Sequence, residues 1–204
     1  MAATATYRPR KLELRDGREV TVRAIVDADA PEIVQAFERL SANSRYYRFM
    51  QHKKQLDPAV LAKGVHPRPG RDFAFVATMP AADGIDIVGA AQYVGADGGT
   101  PKSCEFAITV AEDWRGSGLA TELLASLVRR ARRDGYASIE GLVIADNAPM
   151  LALARSLKFA VEPTTDDATL VRVRRALGPR KLSRPRPARR GTSVSKGSTT
   201  PSGR

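Results

Sequence analysis

Apolar residues alternate with polar ones along some stretches of the chain and recur every third or fourth position along others, and the changes of period mark its elements. Residues Glu19–Ala24, EVTVRA, alternate as a half-buried strand does. Asp29 then precedes Pro31, and Ile33, Val34, Phe37 and Leu40 share one stripe, which predicts a capped helix. The stretches 41–50, SANSRYYRFM, and 57–62 read as shorter helices separated by QHKKQ and closed by a 64–70 loop with two prolines, a helical flap over one edge. Three strand-like runs follow at 72–78, 87–94 and Ser103–Val110. A loop at 80–86 and the turn GADGGTPK join them, short connections that predict an antiparallel meander.

Past Val110 the period becomes helical, with Leu119, Leu123, Leu124, Leu127, Val128 and Ala131 on one stripe. Arg129, Arg130, Arg132 and Arg133 fall in the last turns, where cations suit the negative helix end, and Gly135 supplies the stop. A β-rich run at 137–144, a helix capped by Asp146 or Asn147 through Leu157, and strands at 159–163 and 169–174 complete the pattern. Strand, helix, strand here implies a parallel pair with its crossover, so the fold class expected is α/β with a mixed sheet.

Composition changes this picture at the end of the chain. Residues 178–204 contain no acid and little to bury, yet carry eight of the formal +11 charges, leaving +3 for the rest. This stretch is expected to be a disordered basic tail, able to touch nucleic acid without base specificity. The organisation expected is an extension over 1–17, one domain over 18–177 and the tail over 178–204. Cys104 is the only cysteine, so no intrachain disulfide or thiolate cluster can form, and His52 and His66 have no ligand spacing, so no metal is expected. No apolar run approaches the roughly 18 residues of a membrane span and the N-terminal stretch lacks a signal-peptide core, so no membrane partner and a cytoplasmic location are expected.

The candidate chemistry lies between the third strand of the meander and the long helix. Arg115, Gly116, Ser117, Gly118, Leu119 and Ala120 form a turn into the helix start, where the first amides lack intrahelical partners and the macrodipole favours an anion. Gly116 and Gly118 let the N–H groups converge, Ala120 keeps the helix close, and Arg115 adds charge. A phosphate fits such a turn, although by spacing alone a tight strand-to-helix turn that binds nothing fits too. Neither GxxxxGK[ST] nor GxGxxG is present, which disfavours P-loop and Rossmann sites.

Arg115, Gly118 and Ala120 match [RQ]-x-x-G-x-[GA], and the arrangement resembles the pyrophosphate motif of the GNAT superfamily of N-acetyltransferases. The stretch 147–159, NAPMLALARSLKF, resembles that family's N-x-x-A-x-x-L-Y-x-x-x-G-F helix, with Asn147, Leu153, Leu157 and Phe159 in place and Ala154 and Lys158 where tyrosine and glycine are usual. The resemblance covers roughly residues 20–173. It implies a central, mostly antiparallel sheet flanked by helices, acetyl-CoA as cosubstrate, and Asn147 near coenzyme A or serving as a plain helix cap. It also implies that the backbone N–H of Val110 donates to the thioester carbonyl. With Ala154 in place of the tyrosine acid, the thiolate is protonated by another donor or leaves unassisted, which its pKa of about 8.5 permits.

A lysine amine of pKa about 10.4 is neutral in about one molecule per thousand at pH 7.4, roughly 4 kcal/mol uphill, so a general base helps. Alternation in SCEFAITV places Glu105 with the small Ala107 and Thr109 on one face and Cys104 on the other. Glu105 there could equally be an exposed or salt-bridged strand residue. The phrase CEFAITVAEDWRGSGLA resembles bacterial Pat-type protein lysine acetyltransferases, in which the EFA glutamate is the base, and this points to Glu105 and to a protein lysine as acceptor. Tyr46, Tyr47, Arg48 and Phe49 are expected to pack the core rather than line the acceptor cleft, and Trp114 to pack beside the loop. Two other functions fit the same motifs: acetylation of a small-molecule amine, and non-catalytic sensing of coenzyme A. Motifs that bind a donor specify neither the acceptor nor an oligomeric state.

Overall fold

A strand with two buried valines needs a partner on each side, and Glu19–Ala24 (β2) finds one upstream. Arg10–Glu13 (β1) pairs with it antiparallel, Arg10 opposite Val22 and Glu13 opposite Glu19. The computed structural model describes residues 7–178 except 83, 99–101 and 166. No strand before Glu19 is expected from the sequence, because RKLE is short and mostly charged; those charges suit an exposed sheet edge, and Leu12 packs on the core.

Helices α1 (Ala30–Glu38), α2 (Ala42–Phe49) and α3 (Pro58–Val65) follow, then the antiparallel meander of β3 (Phe73–Ala81), β4 (Gly84–Gly95) and β5 (Ser103–Val110). α4 (Leu119–Arg133) crosses to β6 (Ser138–Ile144), which runs parallel to β5. α5 (Ala148–Ser156), β7 (Ala160–Pro163) and β8 (Leu170–Ala176) complete the chain in the order β1-β2-β3-β4-β5-β6-β8-β7. Among the described residues β5–β6 is the one parallel pair, so the architecture is mixed α/β with a mostly antiparallel sheet, as expected. The basic tail expected over 178–204 lies outside the described residues from 179 onward.

Two boundaries differ from the pattern-based expectation. The 80–86 loop is mostly strand, with Pro80 opposite Ile85 and Ala81 opposite Gly84. Its proline sits near the strand end, where a missing donor costs little. α3 continues to Val65, which is buried, so Gly64 belongs to the helix rather than to the loop.

All six stripe residues of α4 are at most 6% exposed, and each fully buried leucine stabilises by roughly 1.5–3 kcal/mol. The helix lies close on the sheet: a Cβ at Gly89 of β4 would fall 2.9 Å from Leu123 Cδ1. At the other end of α4, Arg130 is buried, donates to Asp134 at 2.6 Å and lies over the Phe73 ring, while the Tyr93 hydroxyl donates to the same carboxylate. Burial and that carboxylate push the Tyr93 phenol well up, keeping it a donor.

Asp29 does not cap α1 through its side chain, as the sequence suggests. It is 3% exposed and turned back, accepting from Arg23 at 2.6 and 2.8 Å and from the Val26 N–H at 2.8 Å, which fixes the exit of β2. Burial raises its pKa, but these donors outweigh burial and hold the carboxyl below its ordinary value. Its stabilisation is therefore present above the unfolded-state pKa and lost as pH falls through the lower folded value. Asp29→Ala should destabilise by about 3 kcal/mol, since it strands a half-buried guanidinium and an amide. Urea melts at pH 7 and pH 3 check this: the gap between variant and wild type should shrink at the acid end.

Candidate functional site

β5 and β6 run side by side only where they begin. Ser103, Cys104 and Glu105 pair with Ser138, Ile139 and Glu140, and the strands then part. Each follows its outer neighbour, β5 staying with β4 to the Val110–Gly89 pair and β6 with β8 to the Ile144–Leu170 pair. Phe106 fills the vertex: a Cβ at Gly141 would stand 3.0 Å from its Cε1, and its ring meets Phe159 edge-on at 5.4 Å. Beyond this wedge lies a cleft of about 680 Å³.

Strand register decides which backbone groups face the cleft. The Ala111 N–H donates to the Val88 carbonyl across the β4 side, so by alternation the N–H groups of Val110 and Ile108 point away from β4, toward the side that β6 has left. Glu105, exposed, stands at the vertex where pairing with β6 ends.

The cleft continues to the turn before α4. Gly116 (φ 78°) and Gly118 (φ 90°) adopt left-handed conformations that would strain any other residue, and both line the cleft with Arg115 and Ala120. Ser117 and Leu119 do not line it. The Ser117 hydroxyl, buried, donates to the Trp114 carbonyl at 2.7 Å and accepts from the Leu119 N–H at 3.2 Å, while the Leu119 side chain lies in the core. One of the amides expected to face a phosphate is thus engaged within the loop. Trp114 is 4% exposed beneath the Arg18 guanidinium, a packing residue as expected.

Arg115 is anchored sideways. Its Nη2 donates to Ser44 Oγ at 2.6 Å and lies 3.7 Å from Glu112, which accepts from the Ser41 N–H at 2.8 Å and from Ser44 Oγ at 2.7 Å. The loop and the N-terminus of α2 therefore share one carboxylate. Hydrogen bonds from Ser41 and Ser44 lower the Glu112 pKa to about 2.

The sequence reading misses Arg15, whose neighbours in the chain carry no signal for it. It sits in the turn between β1 and β2, its N–H donates to the Ser117 carbonyl at 3.2 Å, and its side chain lies 3.3–3.4 Å from where a Cβ on Gly118 would be. It lines the cleft, and among the described residues its guanidinium has no ion-pair or hydrogen-bond partner.

α2 divides its residues in a way that corrects the expectation of core packing. Phe49 meets Phe37 edge-on at 5.7 Å and Tyr46 stacks on His52 at 4.7 Å, but Tyr47 and Arg48 line the cleft. Asn147 is the helix cap that was one of its two expected roles, its Oδ1 accepting from the Met150 N–H at 3.2 Å at the start of α5, and it also lines the cleft. Ala154 is fully buried. Cys104 is 1% exposed, and burial pushes its thiol up to about 12, which leaves no thiolate for nucleophilic catalysis. His66 pairs with Asp27 at 3.0 Å, and the described residues hold no metal-binding group. No helix among them is long and apolar enough to cross a membrane.

Because the Glu112 pKa is depressed, its tie between α2 and the loop stabilises fully above the ordinary value of 4.5 and is lost as pH falls through about 2. A Glu112→Gln variant should melt below wild type by a constant interval from pH 5 to 8, and that interval should close between pH 4.5 and 2. A gap independent of pH would contradict the assignment.

Comparison with known proteins places these features. Residues 19–160 match the acetyltransferase (GNAT) domain family. The chain is 33% identical over 164 residues to acetyltransferase PA5475 of Pseudomonas aeruginosa, a match spanning 80% of this chain and 87% of that protein. Its fold is similar to that of the GNAT domain of S. lividans PAT, with a TM-score of 0.74, 24% identity and coverage of 82% and 96% of the two chains. It is also similar to yncA, a putative acetyltransferase from Salmonella typhimurium solved with acetyl-CoA, with a TM-score of 0.63, 19% identity and coverage of 80% and 96%. A cAMP-binding acyltransferase from Mycobacterium smegmatis aligns with a TM-score of 0.57 and 20% identity, over 84% of this chain and 48% of that one.

Proposed function

The chain belongs to the GNAT acetyltransferase family and is an acetyl-CoA-dependent N-acetyltransferase, and from that premise we propose that it acetylates a primary amine, preferably a protein lysine, with Glu105 as general base. The observation that carries the reading is the parting of β5 and β6, which opens a cleft with Glu105 at its vertex and the turn before α4 at its far end. The preference for lysine rests on the resemblance of the CEFAITVAEDWRGSGLA segment to the Pat-type enzymes.

The residues present suit acetyl-CoA. Gly116 leaves open backbone before the helix start, and Arg15, packed on Gly118, offers a cation for the pyrophosphate that Arg115, tied to Ser44 and Glu112, supplies less freely. Ser117 and Leu119 serve this site by shaping the loop, and Asn147 borders the pantetheine path. The N–H of Val110 holds the thioester carbonyl and stabilises the oxyanion formed there. Five residues at roughly 3.3 Å each separate Val110 from Glu105, about 17 Å, so Glu105 works through water, and the Ile108 N–H offers a second donor nearer to it.

In the reaction the amine lone pair forms the C–N bond at the thioester carbon, the C–S bond breaks, and coenzyme A departs as its thiolate. The proton lost by the amine goes to Glu105 through the relay. The attack is direct, in a ternary complex, consistent with the buried Cys104.

Glu105→Gln should lower kcat by about 10²- to 10⁴-fold while the Kd for acetyl-CoA stays within twofold of wild type, measured by steady-state kinetics and calorimetry. An unaltered kcat would remove Glu105 from the mechanism. Gly118→Glu, which puts a carboxylate and a strained residue into the turn, should abolish acetyl-CoA binding in a chain that circular dichroism shows to be folded. Arg15→Gln should weaken that binding by about tenfold or more, the scale of a lost charge-assisted hydrogen bond. Full affinity in both variants would place the pyrophosphate elsewhere.

A further inference from the structure

Arg48 is the charged group of the cleft that donor binding leaves unused. Its Nε donates to the Thr109 hydroxyl at 3.1 Å and its Cζ lies 4.8 Å from the centre of the Phe49 ring, which together fix the guanidinium on the β5 face that also carries Glu105. Among the described residues its two terminal nitrogens have no hydrogen-bond or ion-pair partner, Glu105 included. The side chain stands where the cleft meets a second cavity of about 120 Å³ beneath α1–α3, lined by Phe37, Leu40, Phe49 and Val65. Withdrawal from water lowers the Arg48 pKa to about 10 against the opposing pull of Glu105. The terminal donors of Arg48 open on the cleft, where an anion from outside the chain can pair with them.

We propose that Arg48 is the anion-binding group of the acceptor site, engaging a carboxylate that the acceptor carries close to the amine being acetylated. The inference rests on the reading of Glu105 as the base, since it takes the amine to lie between the two. The planar fork of an arginine matches a carboxylate with two parallel hydrogen bonds, which a lysine ammonium in its place would not. Charge balance points the same way. The charged residues lining the cleft are Arg15, Arg48, Arg115 and the single carboxylate Glu105, so a polyamine meets net repulsion while an amine with its own carboxylate does not. The carboxylate has two sources, a free amino acid or an acidic residue next to an acceptor lysine. A free amino acid with an aliphatic side chain would in addition reach the apolar cavity, whose volume compares with that of a cavity of about 150 Å³ able to hold benzene.

The test compares two matched acceptor pairs on the full chain: leucine against leucinamide, and a peptide with Glu beside its lysine against the same peptide with Gln there. In one pair the wild type should prefer the carboxylate member by tenfold or more in kcat/KM, chiefly through KM. Arg48→Gln should bring that ratio to about one, with acetyl-CoA affinity unchanged, and Arg48→Lys should restore part of it. Equal treatment of both pairs by wild type, or an equal loss on both members in Arg48→Gln, overturns the proposal. Calorimetric binding of N-acetylleucine and of the acetylated Glu peptide to the CoA-loaded enzyme gives a readout without turnover. Binding by wild type that is lost in Arg48→Gln supports the proposal, and the same affinity, or no binding, in both counts against it. A Glu105→Gln variant that binds these ligands but turns over as fast as wild type sinks the base assignment and leaves the Arg48 subsite standing.

Discussion

Everything in the site depends on β5 and β6 being neighbours for three residues and strangers afterwards. A sheet normally gains by continuing its ladder, so the break needs a cause. Two are visible. Each strand is committed to its outer partner for its full length, and the Phe106 ring fills the vertex against Gly141, where an added Cβ would press on it at 3.0 Å. The parting leaves backbone donors such as the Val110 N–H without a strand to bond, and such groups are satisfied by water or by a ligand that lies in the gap as a strand would.

The second dependency is electrostatic. Arg115 is the arginine that the motif singles out, yet it serves partly as a clamp: with Ser44 and Glu112 it joins the loop before α4 to α2. α2 in turn carries Tyr47 and Arg48 into the cleft. The turn before α4 and the cleft face of α2 are therefore one hydrogen-bonded unit, and a change at Glu112 should be felt in both. The pyrophosphate role proposed above is divided between Arg115 and Arg15, which reaches Gly118 from a turn just over a hundred residues earlier in the chain and lies outside the matched family segment.

What the sequence made legible follows from how local the signal is. The α4 stripe, the meander and the β5–α4–β6 crossover rest on periodicity within one element and on loop length, and all three stand in the structure. Asn147 was visible both as a cap and as a cleft residue because both roles are set by its own backbone position. Arg15 and Arg48 acquire their meaning from contacts with Gly118 and Thr109, more than sixty residues away, and no local pattern marks them. The strand β1 was missed because four mostly charged residues are a strand only once β2 is there to pair with. Asp29 misled for a related reason: its place before a helix signals a cap, but Arg23 on the preceding strand offers a stronger partner. Ser117 and Leu119 were grouped with the loop by sequence, yet a buried hydroxyl and a core side chain make them its scaffold.

The charges gathered in the cleft constrain its chemistry more tightly than the fold does. Three arginines from separate segments face one carboxylate, so the field favours an anionic donor at one end and discourages a bare ammonium at the other. In the proposed reaction the proton of the amine would therefore arrive at the one anionic side chain among these arginines. The water relay proposed for that step would let the proton pass on to solvent, because Glu105 is exposed. An acceptor that brings its own negative charge would, on the same reading, complete the charge balance of the cleft only while it is bound, so that the lining itself discriminates among amines.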